Sequence, residues 1–188
     1  LLNLAGYAAN RGDVFEAGAY LERLRALAPR WGMTALEHAA ALYRGGIALQ
    51  RGELAEARAA LDALGPRWEL ELAWQDAAIA YELAANLAIE RREWPQARER
   101  LAGLERLYER AGVPHGARAV ADAYIRLAGR QGLAGEARGR FAKLGALLDD
   151  DFFDMQVELT YCQALDALVA DDEAAERLRG LVGRLPDT

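Results

Sequence analysis

Cysteine is almost absent from this sequence. The chain has 188 residues and a single cysteine, Cys162. One cysteine excludes an intrachain disulfide and any metal site built from several cysteines, and it fits the reducing environment of the cytoplasm. The apolar neighbours Tyr161 and Leu165 predict that this small side chain is buried.

Long apolar runs and a basic surface are also missing. No run of roughly 18 apolar residues is present, and the N-terminus has no charged region followed by an apolar core. The net charge is −6, and Lys143 is the single lysine among 23 basic residues, whose arginines alternate with acidic residues. The sequence therefore predicts a cytoplasmic protein that contacts neither a membrane nor, through this segment, a nucleic acid.

Few groups are available for catalysis. The two histidines, His38 and His115, lie far apart in the sequence and without acidic or cysteine neighbours at metal-ligand spacing. No nucleophile elbow, glycine-rich phosphate loop or cysteine–histidine arrangement occurs. The acidic run at residues 149–151 is typical of a solvated helix start. We therefore expect no catalytic residues, no metal, no cofactor and no enzymatic activity.

Valine and isoleucine are scarce beside alanine and leucine, and no stretch alternates apolar and polar residues as a half-buried strand does. The apolar residues recur instead at spacings of three and four, which is typical of amphipathic helices. An all-α fold is predicted.

The chain does contain a pattern that recurs every forty residues. A small alanine is followed, four and seven residues later, by large apolar residues. The three sets are Ala17, Ala57, Ala97 and Ala137; Leu21, Leu61, Leu101 and Phe141; and Leu24, Leu64, Leu104 and Leu144. A fixed period of this kind marks a unit that buries its apolar face only by stacking on its neighbours. Small side chains allow the close helix crossings that such stacking needs.

Turn residues divide the pattern into about five antiparallel helix pairs within one domain, residues 1–188. Glycine ends the first helix of several pairs, and proline or a second glycine follows the second helix. The approximate repeats are 1–29, 33–65, 68–111, 114–148 and 151–185. Trp68 to Arg92 carries the longest periodic run and is predicted to be one helix of about six turns.

A glycine at the end of helix A, an alanine five residues later in helix B and large residues beyond it resemble the tetratricopeptide repeat. Gly45 at the small position of the second helix A and Pro29 after the first helix B add to the resemblance, which covers essentially the whole chain. It implies an α-solenoid, a right-handed superhelix of helix pairs, whose A helices line a concave groove.

The repeat differs from that family in three respects. Its period is forty rather than about 34 residues, Arg92 replaces the turn glycine, and the tryptophan of helix A is not seen. Longer repeats of this kind resemble the helical domains of bacterial transcriptional activators. HEAT-type pairs share the forty-residue period, but a glycine turn followed by Glu-Ala favours the tetratricopeptide side.

The tryptophans have two interpretations. Trp31 and Trp68 follow similar turns, Ala-Pro-Arg and Gly-Pro-Arg, and are predicted to wedge between helix pairs; stacking on a ligand is the alternative. Trp74 and Trp94 are predicted to lie in the core.

Register along the A helices predicts the residues that face the groove. The polar candidates are Gln75, Glu82 and Asn86 in the third helix A, His115, Asp122 and Arg126 in the fourth, and Gln163 in the fifth. Ile79 and Ile89 are predicted to share that face. A mixed polar and apolar strip suits a peptide or a helical segment of a partner protein. A solvated surface without a ligand is the alternative.

Three functions remain open. The first is a non-enzymatic scaffold that binds a protein segment in the groove. The second is a sensor or oligomerisation segment of a larger bacterial regulator, which the longer repeat and the start at Leu1 rather than methionine favour; a homo-oligomer belongs to this hypothesis. The third, an enzyme, has no set of residues in its favour.

Overall fold

The computed structural model describes residues 1, 4–5, 7–8, 13–27, 34–65, 68–113, 116–144, 160–164, 176–177 and 179–180. Helices and the short turns between them account for these residues, and none of them forms a strand. The all-α prediction is therefore confirmed for the described part of the chain. None of its helices is long and apolar enough to cross a membrane.

Eight helices have defined bounds. They are α1 (Val14–Leu27), α2 (Thr34–Gln50), α3 (Leu54–Asp62), α4 (Trp68–Glu71), α5 (Trp74–Glu90), α6 (Trp94–Ala111), α7 (Gly116–Gln131) and α8 (Ala134–Leu144). The predicted repeat boundaries at residues 33, 111 and 114 lie within two residues of the start of α2, the end of α6 and the start of α7. The predicted helices after residue 148 lie mostly outside the described residues.

Contacts between Cα atoms divide the chain into two compact units, Leu1–Glu93 and Trp94–Thr188. In the first unit α2 packs against α1, α3 and α5, and α3 also packs against α5. In the second unit α7 packs against both α6 and α8. Each longer helix therefore contacts helices that are near it in the sequence.

The same turn joins successive helices every forty residues. The amide of Glu53 donates to the carbonyl of Ala48 at 2.8 Å, and Glu93 repeats this bond with Ala88. Equivalent bonds run from Asp13 to Ala8 and from Leu133 to Ala128. An amide that reaches back five residues in this way satisfies a carbonyl that the end of the helix leaves without a partner.

A left-handed residue precedes three of these amides. The three residues are Gly52 with φ 77°, Arg92 with φ 59° and Gly132 with φ 77°. Arginine thus adopts in the middle turn the backbone conformation that glycine adopts in the other two, although its Cβ makes that conformation unfavourable. The substitution of Arg92 for the turn glycine leaves the geometry of the turn unchanged.

The small residues of the repeat lie at close helix contacts, as predicted. Ala17, Ala57, Ala97 and Ala137 are each 0% exposed, and the large residues four positions later are buried. A Cβ added to Gly45 in α2 would lie 2.5 Å from Leu83 Cδ2 and 2.9 Å from Ala60 Cβ. Gly45 therefore lets α2 approach α3 and α5. In the last predicted repeat, 151–185, Ala174 and Leu178 have the same spacing of four residues, and both lie outside the described residues.

The single long helix predicted for residues 68–92 is wrong. Helix α4 ends at Glu71, Ala73 takes an extended conformation with ψ 151°, and α5 begins at Trp74. The interruption lets the Trp68 ring pack edge-on against Tyr81, with ring centroids 4.8 Å apart. In one continuous helix these residues would be about 20 Å apart along the axis.

Four further predictions concern single residues. Trp74, the first residue of α5, is 40% exposed and is not a core residue. Ile89 is 2% exposed and belongs to the core, not to the groove face. Cys162 is buried, as predicted. Trp31 lies outside the described residues.

Candidate binding surfaces

The predicted groove residues of the first unit lie on α5. Gln75 is exposed near the start of this helix, and Glu82 and Asn86 are half-buried along it. Their spacings of seven and four residues place them on one side of a helix. The surface next to Gln75 includes Asp76, whose carboxyl pKa is raised by partial burial and lowered to a smaller extent by the nearby His38.

In the second unit Asp122 and Arg126 occupy α7 at the same register as Glu82 and Asn86, forty residues further on. Arg126 Nη2 donates to Asp122 Oδ2 one helical turn away. The side chain of Asp122 is 16% exposed, and its other oxygen, Oδ1, is buried without a hydrogen-bond partner among the described residues.

Arg126 and Gln163 come together at a cavity of about 290 Å³. Arg130, Thr160 and Ala164 complete its polar and apolar lining. The two helical segments approach closely beside it, because a Cβ on Gly129 would lie 2.7 Å from Ala164 Cβ. The structure thus brings two of the predicted groove residues together. His115 lies outside the described residues.

A larger cleft, which the sequence did not predict, lies between α6, α7 and α8. Its volume is about 500 Å³, within the range of roughly 300–1,000 Å³ that is common for ligand sites. The apolar part of its lining comprises Tyr108, Val113, Ala117, Val120, Ala121 and Leu144. We call it the α6–α8 cleft. Register along the A helices could not reveal it, because two of its three walls are B helices.

Charge is segregated across the α6–α8 cleft. Helix α6 contributes Glu105 and Glu109, whereas α8 contributes Arg140 and Lys143. Within the described part of the chain, no ion pair joins the acidic to the basic side. The Arg140 guanidinium carbon lies 3.9 Å from the centroid of the Tyr124 ring. This cation–π contact holds the Arg140 guanidinium beside the ring.

A hydrogen-bonded network holds the three walls together. Arg98 on α6 donates from both terminal nitrogens to Glu136 on α8, each at 2.9 Å, and to Gln131 Oε1 on α7 at 2.7 Å. Hydrogen bonding to Arg98 lowers the pKa of the Glu136 carboxyl, against the opposing effect of burial. Burial raises the pKa of the nearby Tyr124 phenol.

The first unit has a smaller cavity at the equivalent place. It measures about 280 Å³ and lies between α1 and α2, with Arg25, Ala40 and Ala41 in its lining. Eighty residues further on, Glu105, Val120 and Ala121 line the α6–α8 cleft. The two cavities therefore occupy the same register of the repeat.

Metal-binding groups do not converge in the described residues, where no cluster of three or more histidine, cysteine, aspartate or glutamate side chains occurs. The predictions of no metal, no cofactor and no catalysis stay predictions. Comparisons of the chain with protein-family models, with curated proteins and with solved structures found no match.

Proposed function

We infer that this chain is a tetratricopeptide-like helical repeat that acts without catalysis, as a scaffold for a segment of a partner protein. The recurrence of one hydrogen-bonded turn every forty residues supports the repeat, because each copy sets the same helix–helix connection. Equivalent residues of successive A helices, such as Asn86 and Arg126, then stand at equivalent places.

The observation that carries the proposal is the cavity lined by Arg126 and Gln163. Two helical segments separated in the sequence by about thirty residues contribute to it, and both present polar side chains. Arg126 and Arg130 supply donors, and Gln163 supplies a donor and an acceptor. A peptide backbone carries both N–H and C=O groups and complements such a mixed set.

The test is selection of a binding peptide from a displayed random library, followed by titration against protein variants. Arg130→Ala with Gln163→Ala should weaken the selected peptide at least tenfold and leave the melting temperature nearly unchanged, because both side chains line the cavity and are exposed. The matched control is Arg58→Ala with Glu99→Ala, on α3 and α6. Loss of affinity in the control alone would contradict this site.

A further inference from the structure

One register position in the A helices is alanine in two copies of the repeat, where it lines a cavity, and tyrosine in the copy between them. The position is held by Ala41 in α2, Tyr81 in α5 and Ala121 in α7, forty residues apart. A cavity lies against Ala41 and another against Ala121. At Tyr81 the aromatic ring fills the position and is itself covered by Trp68. An aromatic pair thus stands where the other two copies have space.

The docking of Trp68 shows what such a position accepts. The Trp68 ring is 9% exposed and meets the Tyr81 ring at an interplanar angle of 71°. The next residue, Glu69, accepts a hydrogen bond of 3.0 Å from the Tyr81 hydroxyl. In helix α4 a buried tryptophan is therefore followed by a glutamate that accepts a hydrogen bond from the same tyrosine. This short segment docks on α5 as a segment of another protein could.

In the second unit no break separates a comparable segment from the preceding helix. Helix α6 continues to Ala111, so Tyr108, at the register of Trp68, stays on the helix, where it packs against Gly116. Ala121 is too small to fill the space that Tyr81 fills. The α6–α8 cleft is the result, with an apolar floor large enough for an aromatic side chain.

The charged residues at the edge of the cleft determine which charge is favoured next to an inserted aromatic side chain. Arg140 and Lys143 form the basic side on α8, and the Tyr124 ring orients Arg140. Glu105 and Glu109 oppose a carboxylate on the α6 side. An acidic residue next to the inserted aromatic group is therefore attracted to one rim and repelled from the other, which fixes the direction of the bound segment.

We propose that the α6–α8 cleft is a docking site for a protein segment that inserts a tryptophan or another aromatic side chain and places an adjacent acidic side chain against Arg140 and Lys143. The segment belongs to a partner protein. Its pattern is that of Trp68-Glu69-Leu70-Glu71, whose first two residues pack against and bond to Tyr81, the residue of α5 at the register of Ala121. The site is separate from the cavity lined by Arg126 and Gln163.

The probe is the acetylated and amidated peptide Trp-Glu-Leu-Glu with a dye at its C-terminal end, titrated against the whole chain by fluorescence anisotropy. Wild-type protein should bind it saturably. The peptide with alanine in place of tryptophan should bind at least tenfold more weakly, and the peptide with both glutamates changed to lysine at least threefold more weakly. Equal affinity for the tryptophan and alanine peptides would overturn the proposal, as would the absence of saturation at millimolar protein.

Two protein variants locate the site. Ala117→Leu adds bulk at an exposed alanine that lines the cleft and should reduce affinity at least tenfold, whereas Ala142→Leu, exposed on α8 outside the cleft, should not. Lys143→Glu should reduce affinity at least threefold, with Arg138→Glu as its control. Unchanged binding by Ala117→Leu would overturn the assignment.

Indole that binds as tightly as the peptide would identify a small-molecule site and overturn the choice of a protein partner.

Discussion

Arg92 shows how a single residue can depart from the repeat while the backbone keeps to it. Its φ of 59° matches the left-handed conformation of Gly52 and Gly132, and its amide still bonds to Ile89 O at 3.0 Å. The turn is therefore fixed by the hydrogen bonds and packing around it, and the arginine side chain contributes an unfavourable conformation of about 1 kcal/mol.

Replacing Arg92 with glycine should consequently stabilise the protein. The expected gain is about 0.5–1 kcal/mol in the free energy of unfolding, because the strain is relieved but the unfolded chain becomes more flexible. Urea denaturation measures it. Gly52→Ala is the matched control. Its free energy of unfolding should fall by about 1 kcal/mol, because alanine at this position must adopt a positive φ. No steric clash adds to this cost, since a Cβ there would meet no atom within 4 Å. A loss of stability in Arg92→Gly would show that the side chain makes a stabilising contact.

Glu136 offers a pH-dependent test at the same scale. Its folded-state pKa is lowered from 4.5, chiefly by the hydrogen bonds from Arg98. A lowered pKa gives stability that is present above the unfolded pKa and is lost as the pH falls through the folded pKa. Glu136→Gln should therefore lower the free energy of unfolding by about 1 kcal/mol at neutral pH and by much less near pH 3. The value allows for the partial exposure of the Arg98–Glu136 pair.

Urea denaturation of the wild type and Glu136→Gln at the two pH values measures this difference. Glu99→Gln on α6 removes the same charge from an exposed position and should change stability little at either pH. A penalty for Glu136→Gln that stays constant between them would mean that its side chain acts through packing and not through its charge.

At the scale of the helix, two glycines in succession separate packing from helix propensity. Gly45 faces Leu83 and Ala60 at distances too short for a methyl group, whereas a Cβ on the adjacent Gly46 would meet no atom within 4 Å. Gly45→Ala should destabilise the chain by about 1–3 kcal/mol through overpacking. Gly46→Ala should stabilise it by about 0.5–1 kcal/mol, because alanine is the better helix former. Thermal melting of both variants is the measurement, and a shift of the same sign in both would contradict the close crossing.

The helices also show what periodicity can and cannot predict. Alanine and leucine at fixed spacing were enough to place α2, α6 and α7, since those residues alone determine which stripe is apolar. The break before α5 was missed because Leu72 and Ala73 continue a helical pattern. The turn is favoured by contacts of Trp68 and Glu69 with Tyr81, which lies in a different segment. Ile89 was misplaced for a similar reason: helical register gives a direction, and burial depends on which neighbours occupy it.

The candidate sites were less accessible to sequence reasoning than the helices. Arg126 and Gln163 were predicted to share a face and do share a cavity. The α6–α8 cleft was not predicted, because a cavity depends on what is missing between helices. A signal was present in the sequence, since Ala41 and Ala121 stand where the middle repeat has Tyr81, but its meaning required the packing of Trp68.

At the scale of the whole molecule, the repeated turn predicts the effect of removing one period. Excising residues 53–92 joins Gly52 to Glu93, so a left-handed glycine is again followed by glutamate. Ala97, Leu101 and Leu104 of α6 then occupy the register of Ala57, Leu61 and Leu64 against α2. The shortened chain should keep its helical circular dichroism per residue and melt cooperatively. Excising residues 53–82 is the control, because it breaks the register and should abolish both the helical circular dichroism and the cooperative melting. If the chain without residues 53–92 folds no better than this control, the two turns are not equivalent.

The turn that closes between Ala48 and Glu53 and again between Ala88 and Glu93 also has a genetic meaning. Misaligned recombination between two such points adds or removes forty codons in frame. Each junction it creates has the local sequence of a turn that already folds. The coding sequence can therefore change its length in whole steps of forty codons, and the number of helices can rise or fall without any new connection having to arise.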